Sequence, residues 1–215
     1  MITRREFIAG TSALAILAAL NAKFAPAALA QGAAPSTAEL METGTLPEQS
    51  LGKDDAPVTV IEYASMTCGH CAAFHTNTYP EFKKRYVDTG KVRYILREFP
   101  LDPLAAGAFM LARCAGKERY FPLVETLFQQ QRNWVVQKPI EPLFAIVRQA
   151  GFTQETFDAC LKDQKMLDGI EQVRARGADK FKVDSTPTFF INGKIYKGAL
   201  SIDDMAKAID PLLKS

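Results

Sequence analysis

The stretch Val58-Thr-Val-Ile-Glu-Tyr-Ala-Ser-Met-Thr-Cys68-Gly69-His70-Cys71 sets an apolar run directly before two cysteines with two residues between them. Residues 58–63 are rich in β-branched and aromatic side chains and follow Pro57, a pattern that predicts a buried strand. A helix is predicted from Cys68, with apolar positions at Phe74, Tyr79, Phe82, Tyr86 and Val87 and a stop at Gly90. Cys68 therefore falls at a helix N-terminus, where free backbone N–H groups and the positive end of the helix dipole favour a thiolate. Cys71 lies one turn further in, within disulfide reach and more buried. An asymmetric pair is expected, with Cys68 nucleophilic and Cys71 resolving.

Two cysteines at this spacing are also half of a zinc site, so the motif alone leaves both chemistries open. The Gly-His spacer favours redox chemistry, because a His70 imidazole beside Cys68 can stabilise its thiolate. A metal would need two further ligands, and the nearest candidate is His75. His75 is otherwise expected to be a partly exposed helix residue. No metal and no cofactor are expected.

The 215 residues and 47% hydrophobic composition suit one globular domain, or one carrying a sizeable insertion. Residues 1–30 read instead as an export signal. Arg4-Arg5-Glu6-Phe7-Ile8 is a paired-arginine start, residues 13–20 are apolar, and Ala28-Leu29-Ala30 is a small-residue cleavage site. The pattern resembles twin-arginine signals, with an ordinary secretory signal as the alternative. The apolar run is shorter than the roughly 20 residues a spanning helix needs. Removal of 1–30 takes Arg4, Arg5, Lys23 and Glu6 from 26 basic and 24 acidic side chains, leaving a formally neutral chain. No basic block points to nucleic acid. Export also favours persistent disulfides among the four cysteines.

Residues 31–55, polar and rich in Gly, Pro, Ser and Thr, are expected to form a flexible segment, with a short strand conceivable over 45–51. A second strand is predicted over 91–99, closed by Pro100, giving a parallel β-helix-β unit. Helices are predicted over 104–115, 120–131, 141–150, 153–161 and 165–180, with no strand among them. Aromatics there, Phe121, Phe128, Trp134 and Phe144, are read as core. Strand signals return in Val183-Asp-Ser-Thr186-Pro187-Thr-Phe-Phe-Ile191, and Asn192-Gly193 predicts a tight hairpin to 194–196. Ser201 then caps a closing helix through Leu213.

Glu62 stands in the middle of the first predicted strand, where an unpaired buried carboxylate is costly. It must hold a partner, or point to solvent or to Arg93 or Arg97 of the next strand. Cys114 and Cys160 are either buried thiols or a disulfide, and an even cysteine count in an exported chain favours pairing.

The strand, the Cys68-Gly-His-Cys71 helix start, the helical stretch and Ser185-Thr186-Pro187-Thr188-Phe189 together resemble the DsbA family of exported thioredoxin-fold thiol:disulfide oxidoreductases over residues 56–213. The resemblance implies an α/β thioredoxin fold with a mixed central sheet. The thioredoxin-like part would be 56–102 and 183–215, and 103–182 an inserted helical domain. The closest branch is the alphaproteobacterial one, in which the second pair, here Cys114 and Cys160, forms a structural disulfide. Pro187 matches the family's cis-proline, and the backbone of Thr186 would pair with substrate. Thr186 departs from the valine usual in DsbA, which leaves the redox poise open. Glu62 matches the acidic residue that relays the proton of Cys71. Met66 and Thr67, with Phe74 more suited to the core, would form an apolar surface beside Cys68. The implied activity is periplasmic oxidation of cysteine pairs in newly exported proteins, by a monomer reoxidised by a DsbB-type quinone-coupled membrane protein. A disulfide isomerase or reductase held in the dithiol form is the competing reading, and a metal- or client-binding module a third.

Overall fold

In a computed structural model that describes residues 35–42 and 44–214, the chain runs α1 (Thr37–Met41), β1 (Gln49–Leu51), β2 (Val58–Ala64), α2 (Gly69–Asn77), α3 (Tyr79–Phe82), a π-helical turn (Lys83–Val87) and β3 (Val92–Glu98). Then come α4 (Pro103–Cys114), α5 (Lys117–Gln129), α6 (Gln131–Trp134), α7 (Ile140–Gln149), α8 (Gln154–Leu161) and α9 (Gln164–Asp179). The chain closes with β4 (Thr188–Ile191), β5 (Lys194–Lys197), α10 (Ile202–Ile209) and a 3-10 turn (Asp210–Leu213). The five strands form one sheet in the order β1-β3-β2-β4-β5. β2 and β3 are parallel and the other pairs antiparallel, so the sheet is mixed. The export-signal reading of 1–30 lies outside the described residues.

Strand alternation sorts the side chains onto two faces. Val58, Val60 and Ala64 of β2, with Val92, Tyr94 and Leu96 of β3, join the larger core with α2, α3, α10 and the helices between β3 and β4. Ile61 and Tyr63, with Ile95, face a smaller core closed by Leu40 of α1 and by Phe181 and Val183 after α9. Glu62 shares the face of Val60 and Ala64, which turns it into the larger core and away from Arg93 and Arg97. Phe74 of α2 packs at 4.7 Å on Phe189 of β4, clamping α2 onto the sheet. Burial of a ring of this size contributes about 1.5–3 kcal/mol.

The single helix expected from Cys68 to Val87 is broken at Thr78. Pro80 lacks an N–H and its ring crowds the carbonyl four residues back, so α2 cannot run through it. The chain resumes as α3 and then widens, with Asp88 N–H donating to Lys83 C=O at 2.9 Å and Lys91 N–H to Tyr86 C=O at 2.9 Å. The polar stretch after 35 is not the flexible segment its composition suggested. Ser36 and Glu39 form a capping box that starts α1, and Leu40 is 1% exposed beneath the sheet. β1 then pairs with the edge of β3. At the hairpin, Asn192 and Gly193 adopt φ of 43° and 88°, the left-handed pair a two-residue turn requires. α5 begins three residues earlier than predicted, directly after Gly116.

Candidate active site

β2 ends at Ala64, and a short loop delivers Cys68 to the N-cap of α2. Its sulfur is half-buried, while Cys71 is fully buried and both are thiols. The loop is held from several sides. Gln131 Nε2 donates to the carbonyls of Met66 (2.8 Å) and Cys68 (3.0 Å), and Thr67 Oγ1 donates to Asp102 at 2.6 Å. The same Asp102 caps α4 by accepting from Ala105 N–H at 2.8 Å. The loop before the active helix and the first helix after β3 thus share one carboxylate.

Opposite the pair, the Thr186–Pro187 peptide is cis and precedes β4. Cys68 Sγ lies 3.3 Å from the Thr186 carbonyl, to which it donates in its thiol form. The Thr186 hydroxyl is buried without another protein partner and is a donor for the sulfur once Cys68 is a thiolate.

These contacts divide the two thiols. A hydrogen bond from the Cys71 thiol is the main cause that brings the Cys68 pKa down to about 5. Partial burial opposes it, and the Thr186 hydroxyl and the backbone N–H groups of Cys71 and His70 add to the lowering. Burial pushes the Cys71 thiol well up, reinforced by its bond to Cys68 and the charge of Glu62. At neutral pH one sulfur is a thiolate and the other a buried acid.

Glu62 is 0% exposed below this pair. Its Oε2 accepts from the Tyr94 hydroxyl at 2.5 Å and lies 3.2 Å from His75 Nε2, while Oε1 has no partner. The alternative of solvent or Arg93 and Arg97 is thereby overturned. Arg97 is occupied on the opposite face of the sheet by Glu48, Tyr63 and the Leu40 carbonyl.

Three further expectations need correction. His75 is not a partly exposed helix residue but 1% exposed, because the α2 face that carries Cys71 also carries position 75 one turn on. Met66 is 0% exposed, so its side chain cannot line a substrate surface; its carbonyl serves the loop instead. The His70 ring is exposed to solvent, and its contribution to the Cys68 thiolate comes through its backbone N–H. Thr67 is half-buried and tied to Asp102. Beside Cys68 a groove of about 510 Å³ runs between α2 and the α5–α6 corner, lined by Gly69, Ala72, Thr76, Phe128, Gln131 and Asn133.

Away from the site, Cys114 at the end of α4 and Cys160 of α8 are joined in a disulfide with a Cα–Cα distance of 6.2 Å. Gln131, Asp102 and Tyr94 are site residues that the sequence did not single out, and His75 was considered only as a metal ligand or a partly exposed helix residue. Only His75 carried a local signal, its spacing of four from Cys71.

A dithiol at a helix start, facing a cis-proline loop on a mixed five-stranded sheet, defines a thioredoxin-fold protein with a redox-capable site. Comparison with known proteins agrees. The family described as Thioredoxin matches residues 45–211. A Rickettsia bellii relative named as a protein-disulfide oxidoreductase is 34% identical over 166 residues, covering 76% of this chain and 64% of the relative. A Bacillus cereus relative named as disulfide bond formation protein D is 30% identical over 173 residues, covering 78% and 79%. The crystal structure of Wolbachia pipientis alpha-DsbA1 superposes with a TM-score of 0.76 at 32% identity, covering 82% of this chain and 95% of that one. The chain spans a little under two thirds of the length of the curated Rickettsia relatives it matches. The chain belongs to the thioredoxin family and is DsbA-like within it.

Proposed function

We propose that this chain is an exported protein dithiol:disulfide oxidoreductase that donates a Cys68–Cys71 disulfide to cysteine pairs of other exported proteins. A substrate thiolate attacks Cys68 Sγ, the Cys68–Cys71 bond breaks, and its electron pair stays on Cys71, which takes up a proton. The substrate's second thiolate attacks the substrate sulfur of the mixed disulfide, releasing Cys68 as a thiolate and leaving a substrate disulfide. Cys68 has to be a good leaving group, and the observation that carries the proposal is its place at the N-cap of α2, half-buried beside the buried Cys71 and against the cis Thr186–Pro187 peptide, an arrangement that brings its pKa down to about 5. Stabilising the reduced form in this way makes the disulfide oxidising.

In this reading Pro187 holds the Thr186 backbone against the pair, and Thr186 offers it to an extended substrate segment. Thr67 and the groove beside α2 receive the rest of that segment, while Glu62 exchanges the proton of Cys71. Cys114–Cys160 braces the helices of 103–182, an insertion into a thioredoxin-like part formed by 56–102 and 183–215. Residues 1–30 direct export to a periplasm, and a DsbB-type membrane oxidase restores the disulfide of a monomeric enzyme. The test is the redox equilibrium of the purified protein with glutathione, alkylating Cys68 and Cys71 separately from Cys114 and Cys160. An active-site pair far more oxidising than glutathione is expected. A strongly reducing pair overturns the direction and makes the protein an isomerase or reductase.

A further inference from the structure

His75 is a buried ionisable group that the chemistry above leaves unused. Cys71 has to lose a proton whenever it attacks a mixed disulfide on Cys68, and Glu62 is the base beside it. Yet Glu62 is itself 0% exposed and has to be cleared of that proton before the next turnover. Its two protein partners differ in what they can do. The Tyr94 hydroxyl is fully buried, already donates to Oε2, and is held protonated by burial and by the Glu62 charge. Tyr94 is therefore a dead end. His75 contacts the same oxygen through Nε2, and its second nitrogen, Nδ1, is buried without any protein partner. A buried polar atom left unpaired is costly, so an orphan here calls for a reason.

The ring is held in place for a transfer. It stacks on Phe128 of α5 at 4.2 Å with 19° between planes, and lies 4.8 Å from the Tyr79 ring of α3. Glu125 of α5, half-buried, interacts with this group: partial burial raises its carboxyl, and the charges of Lys83 and His75 and the Tyr79 hydroxyl lower it in part. The charged and titratable groups around His75 are thus Glu62 of β2, Cys71 of its own helix, Tyr94 of β3, Tyr79 of α3 and Glu125 of α5. Lys83 and Asp88 act on Glu125 from outside.

We infer that His75 is the proton carrier behind Glu62, taking at Nε2 the proton that Cys71 gives up and releasing one from Nδ1 toward Glu125 and solvent. The inference rests on the dithiol chemistry proposed above. In the step it serves, Cys71–SH passes its proton to the free Oε1 of Glu62, and the thiolate attacks Cys68 Sγ of the mixed disulfide. The Cys68–Cys71 bond forms, the Cys68–partner bond breaks, and the electron pair leaves on the partner sulfur. With the neutral ring in its Nδ1–H form, Glu62 turns its carboxyl and passes the proton to Nε2, the imidazolium loses its Nδ1 proton, and the remaining proton shifts from Nε2 to Nδ1, so the buried site ends the cycle with its starting charge and tautomer. His75 touches no reacting sulfur and is a positioning residue acting through Glu62.

The experiment mixes the reduced full chain with oxidised glutathione, quenches with acid, and follows formation and decay of the Cys68–glutathione adduct against pH. In His75→Gln the side-chain amide can still hydrogen-bond Glu62, as donor or acceptor, but cannot ionise. Adduct decay at neutral pH should slow on the order of tenfold or more, the range of a lost proton-transfer group, while adduct formation at Cys68 keeps its rate and pH profile. Glu125→Gln should slow decay in the same pH range and leave formation unchanged. Wild-type decay in either variant overturns the relay and leaves that side chain a packing role. If His75→Gln fails to fold, Glu125→Gln decides alone. If the wild-type adduct never resolves into Cys68–Cys71, the underlying dithiol chemistry fails instead.

Discussion

Replacing Cys71 by alanine isolates the largest contribution to the Cys68 thiolate. The structure assigns that contribution to a hydrogen bond from the Cys71 thiol, ahead of the Thr186 hydroxyl and the backbone donors of α2. A hydrogen bond to a charged group is worth about 1.5–3 kcal/mol, equivalent to roughly one to two pH units in a titration. Cys68 should therefore titrate at roughly 6–7 in Cys71→Ala, against about 5 in the wild type. Cys71→Ser keeps an O–H donor and should fall between the two. The assay is the pH dependence of Cys68 alkylation, cross-checked by ultraviolet thiolate absorbance. A Cys68 pKa still near 5 in Cys71→Ala would refute the argument and shift the whole effect onto the helix terminus. The same depressed pKa fixes a sign for stability. Between about 5 and the ordinary thiol value of 9.0, the reduced folded protein binds fewer protons at Cys68 than the unfolded chain does. The contribution of Cys68 to the stability of the reduced protein is complete above 9.0 and is lost as pH falls toward 5, a dependence the oxidised protein lacks at this residue.

Breaking the second cystine with Cys114→Ala and Cys160→Ala should lower the unfolding free energy by about 4 kcal/mol, from the closure entropy of a loop of 46 residues; urea denaturation of the double variant against the wild type measures it. Arg113→Leu should cost about 3–5 kcal/mol in the same assay, because Glu98, 1% exposed, loses two bonds of 2.7 and 2.9 Å and keeps only Tyr120 at 2.9 Å. Adding Glu98→Gln to that variant should recover part of the loss by removing the unpaired charge.

The elements that local chemistry controls were legible in the chain. Runs rich in β-branched and aromatic residues marked β2, β3 and β4, Asn192-Gly193 marked the hairpin, and Ser201 marked the start of α10, where it accepts from Asp204 N–H at 3.1 Å. The helix boundary at Cys68 followed from the same local rules, whereas the cis-proline role of Pro187 came only with the family resemblance. Pro80 was also a local signal, and ignoring it joined α2 to α3. Composition misled at residues 35–51, where few apolar side chains suffice: Leu40 with Met41 anchors α1, and β1 pairs through its backbone with the edge of β3.

Burial was decided by tertiary structure. Whether Glu62 meets arginines or a histidine depends on which face of β2 it shares, and that in turn on the α2 helix lying over Val60 and Ala64. His75 and Met66 became interior because α5 and α6 close over α2 and its loop, a contact between segments about sixty residues apart that no local period encodes. The sequence alone determined that two sulfurs stand at the start of a helix after a buried strand, since propensity, capping and spacing are short-range properties. Only the fold determined how unequal those sulfurs are, because a thiol's acidity depends on burial and on donors brought from distant parts of the chain: the Thr186 loop above and the Glu62–His75 pair below.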